Sequence, residues 1–135
     1  MLGDYEHDYE WYNKLLASDG FEQYYWNRYK SYLQNKSNPL PDTVIDILEN
    51  NTLKNIMSYL GDPRESTTHY SIRGLVVGDV QSGKTSNYIG LATKAADAGY
   101  KVIFVLTGTI ESLRQQTQHR IEEGFIGYNL SLIHI

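Results

Sequence analysis

The sequence of 135 residues predicts an α/β fold, in which a parallel βαβα unit follows an α-helical N-terminal region. Two apolar, β-branched runs, residues 75–77 and 102–106, are typical of strands buried on both faces of a parallel sheet. Between them, residues 86–98 have the composition of a helix. This order of elements predicts one right-handed crossover.

The first 60 residues are predicted to be helical and hold eight of the 12 tyrosines and both tryptophans. Residues 5–17 are predicted to form one helix. On a second predicted helix, the residues that recur at helical spacing are Phe21, Tyr25, Tyr29, Tyr32 and Leu33. Such a stripe is typical of a face packed on another helix. Stacking on bases is the alternative, but no interleaved basic residues support it.

Short helices are predicted after a linker at residues 37–41. Asp42 is the expected cap of a helix that ends at Glu49, and Thr52 is the expected start of another that ends at Leu60. These features divide the chain into a helical region (1–38), a linker with short helices (39–66) and the first part of the predicted α/β lobe (67–129).

A phosphate-binding loop is predicted at residues 78–85, Gly-Asp-Val-Gln-Ser-Gly-Lys-Thr, which match G-x-x-x-x-G-K-[ST] without exception. Its two glycines let backbone N–H groups curl around a β-phosphate at the N-terminus of the next helix. Lys84 would contact the β- and γ-phosphates, and the Thr85 hydroxyl would bind Mg²⁺. The predicted nucleotide-binding residues are Gly78, Gln81, Ser82, Gly83, Lys84, Thr85 and Ser86.

The elements after the loop follow from the same patterns. Gly99 is the expected left-handed cap of helix 86–98. A second helix is expected from about Ile110 to Glu123, and Gly124 is expected to end it. Upstream of the loop, Tyr70 or Arg73 could stack on the adenine; the alternative is that Tyr70 packs at the margin of the sheet and Arg73 is solvated.

Three separated blocks carry a family resemblance: residues 74–85, 94–100 and 113–120. Together they resemble the Z-one domain family of bacterial proteins, which are proposed endonucleases with a helicase-like ATPase core of superfamily two. The resemblance implies a RecA-like lobe, ATP and Mg²⁺ as cofactors, DNA as partner, a cytoplasmic location, and a role in restriction or phage defence.

The resemblance also implies a nucleic-acid contact. The positions of a Thr-rich motif that touches the nucleic-acid backbone are occupied by Thr107, Thr109, Leu113 and Gln116. A helix cap at Thr109 and an amphipathic helix explain the same residues equally well.

The implied enzyme is a Mg²⁺-dependent ATPase with Lys84 and Thr85 as catalytic residues. Two other functions share the phosphate loop: a nucleotide-gated interaction module that binds ATP without turnover, and a small-molecule or nucleoside kinase. The block 113–120 argues against the kinase.

Composition excludes several classes of protein. The chain has no cysteine, which excludes a disulfide framework and a cysteine-ligated zinc site. No run of residues has the length of a membrane span. The net charge is −4, and lysines and arginines are scattered singly, so no basic stripe indicates a nucleic-acid surface.

Residues 130–135, Leu-Ser-Leu-Ile-His-Ile, coincide with the translation of a transposon end sequence used as a sequencing adaptor. An alternating strand is the alternative interpretation. We expect an adaptor-derived tail, which is excluded from fold reasoning. On that expectation the native sequence ends near residue 129, before the acidic motif that holds Mg²⁺ and aims water in such ATPases.

Overall fold

The computed structural model describes residues 6–65, 70–78 and 83–127, and within these ranges the protein is all-helical. Six α-helices are present there: α1 (Trp11–Leu16), α2 (Tyr24–Asn35), α3 (Asp42–Ile47), α4 (Lys54–Tyr59), α5 (Lys84–Ala98) and α6 (Glu111–Ile121). A π-helical turn, Leu48–Leu53, joins α3 to α4, and a second, Glu122–Ile126, extends α6. In these ranges none of the helices combines the length and the apolar character needed to cross a membrane.

The predicted α/β fold is wrong, because the described residues contain no strand and therefore no parallel sheet or RecA-like lobe. Residues 75–77 and 102–106 are exposed instead: Phe104 keeps 85% of its surface and Leu106 keeps 94%. A β-branched and aromatic run becomes a strand only where a neighbour supplies backbone partners and a packed face. No described segment pairs with either run, so their composition alone does not make them strands.

Helix α1 is shorter than predicted, because residues 9–10 form a turn before it. The Asp8 carboxylate accepts the backbone N–H of Glu10 at 2.9 Å, a local bond that competes with helix formation. Helix α1 then buries Trp11, Tyr12 and Leu15. The second predicted helix is confirmed as α2, although Phe21 precedes its first turn.

The aromatic stripe of α2 is confirmed as a packed face. Trp26, Tyr29 and Leu33 are buried in a first core, together with Ile45, Leu48, Leu53 and Ile89. A second core contains Trp11, Tyr12, Leu15, Met57, Ala95 and Ala98. Because α5 contributes to both cores, it joins the helices that precede residue 66 to those that follow it.

The two short helices predicted after the linker form one continuous helical segment, residues 42–59. Thr52 does not begin a helix, because the π-helical turn carries the backbone through this position. Asp42 is the first helical residue and makes no capping bond; its carboxylate instead accepts from Gln34 Nε2 at 3.4 Å. Tertiary packing of Leu48 and Leu53 outweighs the low helix propensity of Asn50, Asn51 and Thr52.

Helix α5 matches its predicted end and begins two residues earlier than predicted. Gly99 is in the left-handed region, with φ of 118°, and its N–H bonds to Ala95 O at 3.2 Å. At the same end, the Asp97 carboxylate accepts the N–H groups of Tyr25 and Trp26, both at 2.9 Å. Asp97 therefore caps the N-terminus of α2 from a distant part of the chain.

The end of α6 differs from the prediction. Gly127, with φ of 96°, ends the helical segment, and Gly124 lies inside the π-helical turn. Gly124 is a point of close approach, because a Cβ there would lie 2.8 Å from Tyr29 Cε1 and 3.0 Å from Ile89 Cγ2. The next residue, Phe125, stacks on Tyr25 at 5.1 Å between ring centroids. The turn therefore anchors α6 to α2 and α5.

We expect Gly124→Ala to lower the free energy of unfolding by about 1–3 kcal/mol, because the added methyl group overlaps the buried Tyr29 ring. Urea unfolding followed by circular dichroism measures the change. Gly74→Ala is the matched control, since a Cβ at Gly74 would meet nothing within 4 Å. Equal stability of the two variants would contradict this packing of the turn.

Replacing both Phe104 and Leu106 by Asp should change the free energy of unfolding by less than about 0.5 kcal/mol, because both side chains are exposed. Self-association should fall, since an exposed apolar patch is removed. Light scattering and thermal melts measure the two effects. Ile45→Asp, which buries a charge in the first core, is the destabilising control. A large loss of stability in the Phe104/Leu106 variant would show that this segment is part of the core.

Candidate phosphate-binding site

The N-terminus of α5 has the geometry of the last turn of a phosphate loop. Gly83 immediately precedes the helix in the left-handed conformation, with φ of 72° and ψ of 41°, which glycine adopts without strain. The first N–H groups of a helix have no acceptor within it, and no described side chain caps those of α5. These groups and the helix dipole therefore favour an anion.

Side chains of the first turn extend this arrangement. Lys84, the first helical residue, is exposed. The Thr85 hydroxyl accepts a hydrogen bond from Arg120 Nη1 at 3.1 Å, and the Ser86 hydroxyl donates to Gly83 O at 2.7 Å. The structure thus brings Gly83, Lys84, Thr85 and Ser86 together at one helix end.

Of the other predicted loop residues, Gly78 is described by the structure and is half-buried. Gln81 and Ser82 lie outside the described residues, as does the tail 130–135. The geometry of the site therefore rests on its helical end, residues 83–86.

A cavity of about 470 Å³ opens beside this helix end, between α5, α6 and the C-terminal half of α2. Thr85 and Ser86 line it from α5, Gln116 and Arg120 from α6, and Tyr32 from α2. Its acidic residue, Glu123, already has partners: its carboxylate accepts from the Tyr32 hydroxyl at 3.2 Å and lies 3.1 Å from His119 Nε2. Burial and the Glu123 charge raise the pKa of Tyr32, which keeps that hydroxyl a donor.

Two positively charged side chains, Lys36 and Arg120, also line the cavity. Unlike Glu123, neither forms an ion pair with a residue that the structure describes. Lys84 adjoins Thr85 at the same helix end. The cavity therefore carries positive charge that acidic side chains of the described chain do not neutralise, which suits a polyanionic ligand.

The adenine candidates line other cavities. The Tyr70 ring packs on Gly61, its hydroxyl donates to Asp62 O at 3.2 Å, and it lines an apolar cavity of about 660 Å³ with residues 102–106. Arg73 is exposed and lines a cavity of about 500 Å³ with His7 and Tyr9. Neither cavity is lined by residues 83–86.

The nucleic-acid candidates are also separated. Gln116 lines the cavity beside Thr85, whereas Thr107 lines a different one, of about 490 Å³. Thr107 and Thr109 are exposed. A helix cap at Thr109 is wrong, because Ile110 directly precedes α6 and no side chain caps it. Helix α6 also buries none of its residues, so the interpretation of Leu113 and Gln116 as part of an amphipathic helix is not supported either.

Sequence reasoning assigned no role to two residues that the structure singles out, Arg120 and Lys94. Lys94 on α5 keeps only 3% of its surface; its Nζ donates to Gln23 Oε1 at 2.5 Å and lies 4.7 Å from the Trp26 ring centroid. Burial lowers its pKa to about 8, although the Glu49 and Asp97 carboxylates favour the charged form. Lysines on helices usually lie at the surface, so no pattern in the neighbouring sequence predicts that Lys94 is buried.

No protein-family model, curated protein or solved structure matches this chain. The resemblance to the Z-one domain family therefore stays a prediction that rests on three blocks of sequence. Among the described residues, no group of three or more His, Cys, Asp or Glu side chains could hold a metal ion.

Lys94 gives the protein a specific pH dependence. Below its folded pKa of about 8 the residue is charged in both the folded and unfolded states; above it only the unfolded chain, with its ordinary value of 10.5, keeps the proton. Stability should therefore rise by about 1.5 kcal/mol between pH 8 and 9.5. Chemical denaturation at each pH measures the rise.

Lys94→Met should abolish that rise, because the titrating group is gone. Lys101→Met, which changes an exposed lysine, is the matched control and should retain it. A wild-type stability that is flat or falls between pH 8 and 9.5 would contradict the burial of Lys94. Above that window the buried Tyr12 and Tyr29, whose pKa values burial raises, act in the opposite direction.

Proposed function

We propose that this chain binds a Mg²⁺–nucleoside triphosphate at the N-terminus of α5. One observation carries the proposal: the phosphate-loop sequence ends in a left-handed Gly83, directly followed by Lys84 and Thr85 on a 15-residue helix whose first N–H groups no described side chain caps. A G-x-x-x-x-G-K-[ST] sequence without this helix start would be a glycine-containing turn.

The proposed chemistry assigns one role to each residue. The N–H groups that follow Gly83 bind the β-phosphate, and the Lys84 ammonium neutralises the β- and γ-phosphates. The Thr85 hydroxyl would hold Mg²⁺, which would neutralise part of the charge on the triphosphate. The residues present fit the ion, because a hydroxyl with a free lone pair lies at the helix end where those phosphates bind.

The resemblance extends the proposal to ATP as the nucleotide and to ATP-driven work on DNA in restriction or phage defence. Support for this step comes from the blocks 74–85, 94–100 and 113–120 alone, since the sheet that would have supported it is absent from the described chain. Within this proposal, Gln116 is the best placed of the nucleic-acid candidates, because it lines the same cavity as Thr85.

A second candidate function is favoured by a specific observation. The exposed apolar residues 75–77 end one residue before the phosphate loop, and residues 102–106 follow α5 closely. A nucleotide-gated interaction module needs such a surface next to its nucleotide. Phosphate release measured with saturating Mg²⁺–ATP separates the two functions, because the ATPase turns ATP over and the interaction module only binds it.

Lys84→Ala should weaken binding of Mg²⁺–ATP by at least about tenfold, because a charge-assisted contact to the phosphates is lost. Isothermal titration calorimetry measures the dissociation constant. Lys101→Ala, at an exposed lysine outside the helix end, is the control and should bind as the wild type does. Wild-type affinity in the Lys84 variant, with unchanged thermal melts, would show that residues 78–85 do not bind phosphate.

A further inference from the structure

We propose that Arg120 is a triphosphate-binding residue. Its guanidinium, which donates to the Thr85 hydroxyl, would donate to phosphate oxygens when Mg²⁺–nucleoside triphosphate binds. The inference rests on the proposed function, because it takes the N-terminus of α5 as the phosphate site.

The first argument is position. Arg120 Nη1 lies 3.1 Å from Thr85 Oγ1, although the two residues are 35 positions apart in the chain. Both line the same cavity of about 470 Å³. The guanidinium therefore lies beside the helix end at which the phosphates would bind.

The second argument is charge. A guanidinium carries five N–H donors and keeps its charge in proteins, so an anion is its strongest partner. Two other arginines have a carboxylate as partner. Arg114 pairs with Glu111 at 2.5 Å, and Arg64 pairs with Asp62 at 2.9 Å. Arg120 contacts a neutral hydroxyl, and the adjacent Glu123 is held by His119 and Tyr32. Its charge is thus available to a ligand.

The third argument is competition at Thr85. The Thr85 oxygen has two lone pairs, one of which accepts from Arg120. Mg²⁺ on the other would place two cations on one small oxygen, and their repulsion favours movement of the flexible arginine side chain. Phosphate oxygens are the nearest anions after that movement, and hydrogen bonds to them are about twice as strong as those to neutral groups.

The fourth argument is rigidity. Arg120 lies close before the π-helical turn whose Gly124 packs on Tyr29 and Ile89. In the same turn the Phe125 carbonyl accepts from the Arg28 guanidinium, and its ring stacks on Tyr25. The backbone that carries Arg120 is therefore fixed before any ligand arrives, which lowers the entropy cost of the new contact.

The test uses the full chain and a fluorescent N-methylanthraniloyl derivative of ATP with Mg²⁺, titrated by fluorescence anisotropy. The variants are Arg120→Lys, Arg120→Gln and Arg120→Glu, and Arg114→Gln on the same helix is the matched control. We expect the dissociation constant to rise about tenfold or more in the Gln variant, further in the Glu variant and less in the Lys variant. The control should bind as the wild type does.

The outcomes separate this inference from the proposed function. If the wild type binds and Lys84→Ala does not, while the three Arg120 variants bind like Arg114→Gln, Arg120 does not contact phosphate and the proposed function still holds. If the wild type fails to bind, both proposals are overturned. If the dissociation constant rises equally in all three Arg120 variants, irrespective of charge, Arg120 only positions Thr85. That result would overturn the inference. Thermal melts of each variant verify that the fold is retained.

Discussion

The close approach of α5 to the helices before it is the constraint on which the rest of the structure depends. At Gly90 a Cβ would lie 2.8 Å from Leu53 Cδ1 and 3.4 Å from Trp26 Cζ3, so the α5 backbone itself forms part of the first core. Ala95 and Ala98 provide a similarly flat face to the second core. A glycine inside a helix costs about 1 kcal/mol relative to alanine, and packing against Leu53 and Trp26 offsets that cost.

This packing fixes the N-terminal end of α5, where the candidate phosphate-binding site lies. Hydrogen bonds of three charged side chains also connect these helices. Asp97 caps α2, Lys94 bonds to Gln23, and Glu49 accepts from the Trp26 indole N–H. Burial raises the pKa of Asp97 and lowers that of Lys94, so each loses hydration that the other charge only partly replaces. The main effect of these buried groups is to specify one alignment of the helices, because a shifted helix would leave them unpaired. Their net contribution to the free energy of unfolding is smaller. The direction in which α5 presents residues 83–86 follows from that alignment.

Sequence patterns predicted the features that depend on neighbouring residues. The C-terminal end of α5, the left-handed Gly99 and the packed stripe of α2 each follow from spacing within one helix. The patterns failed where distant residues decide. A strand needs a partner, which residues 75–77 and 102–106 lack in the described chain. Gly124 makes room for the Tyr29 ring and does not end a helix. Arg120 bonds to Thr85, which lies 35 positions away in the chain.

The exposed apolar segments adjoin the candidate phosphate-binding site in the sequence. Val77 directly precedes Gly78, the first residue of the predicted loop, and residues 102–106 follow Tyr100, whose hydroxyl donates to Gly61 O at 2.6 Å. On the proposed function, a partner bound to residues 75–77 and a nucleotide bound at residues 83–86 would each restrain one end of the same short stretch of chain. Because such coupling is reciprocal, nucleotide binding and coverage of the apolar surface would then favour each other. The same linkage would serve an ATPase, whose turnover would release that surface, and an interaction module, whose bound nucleotide would hold it in place.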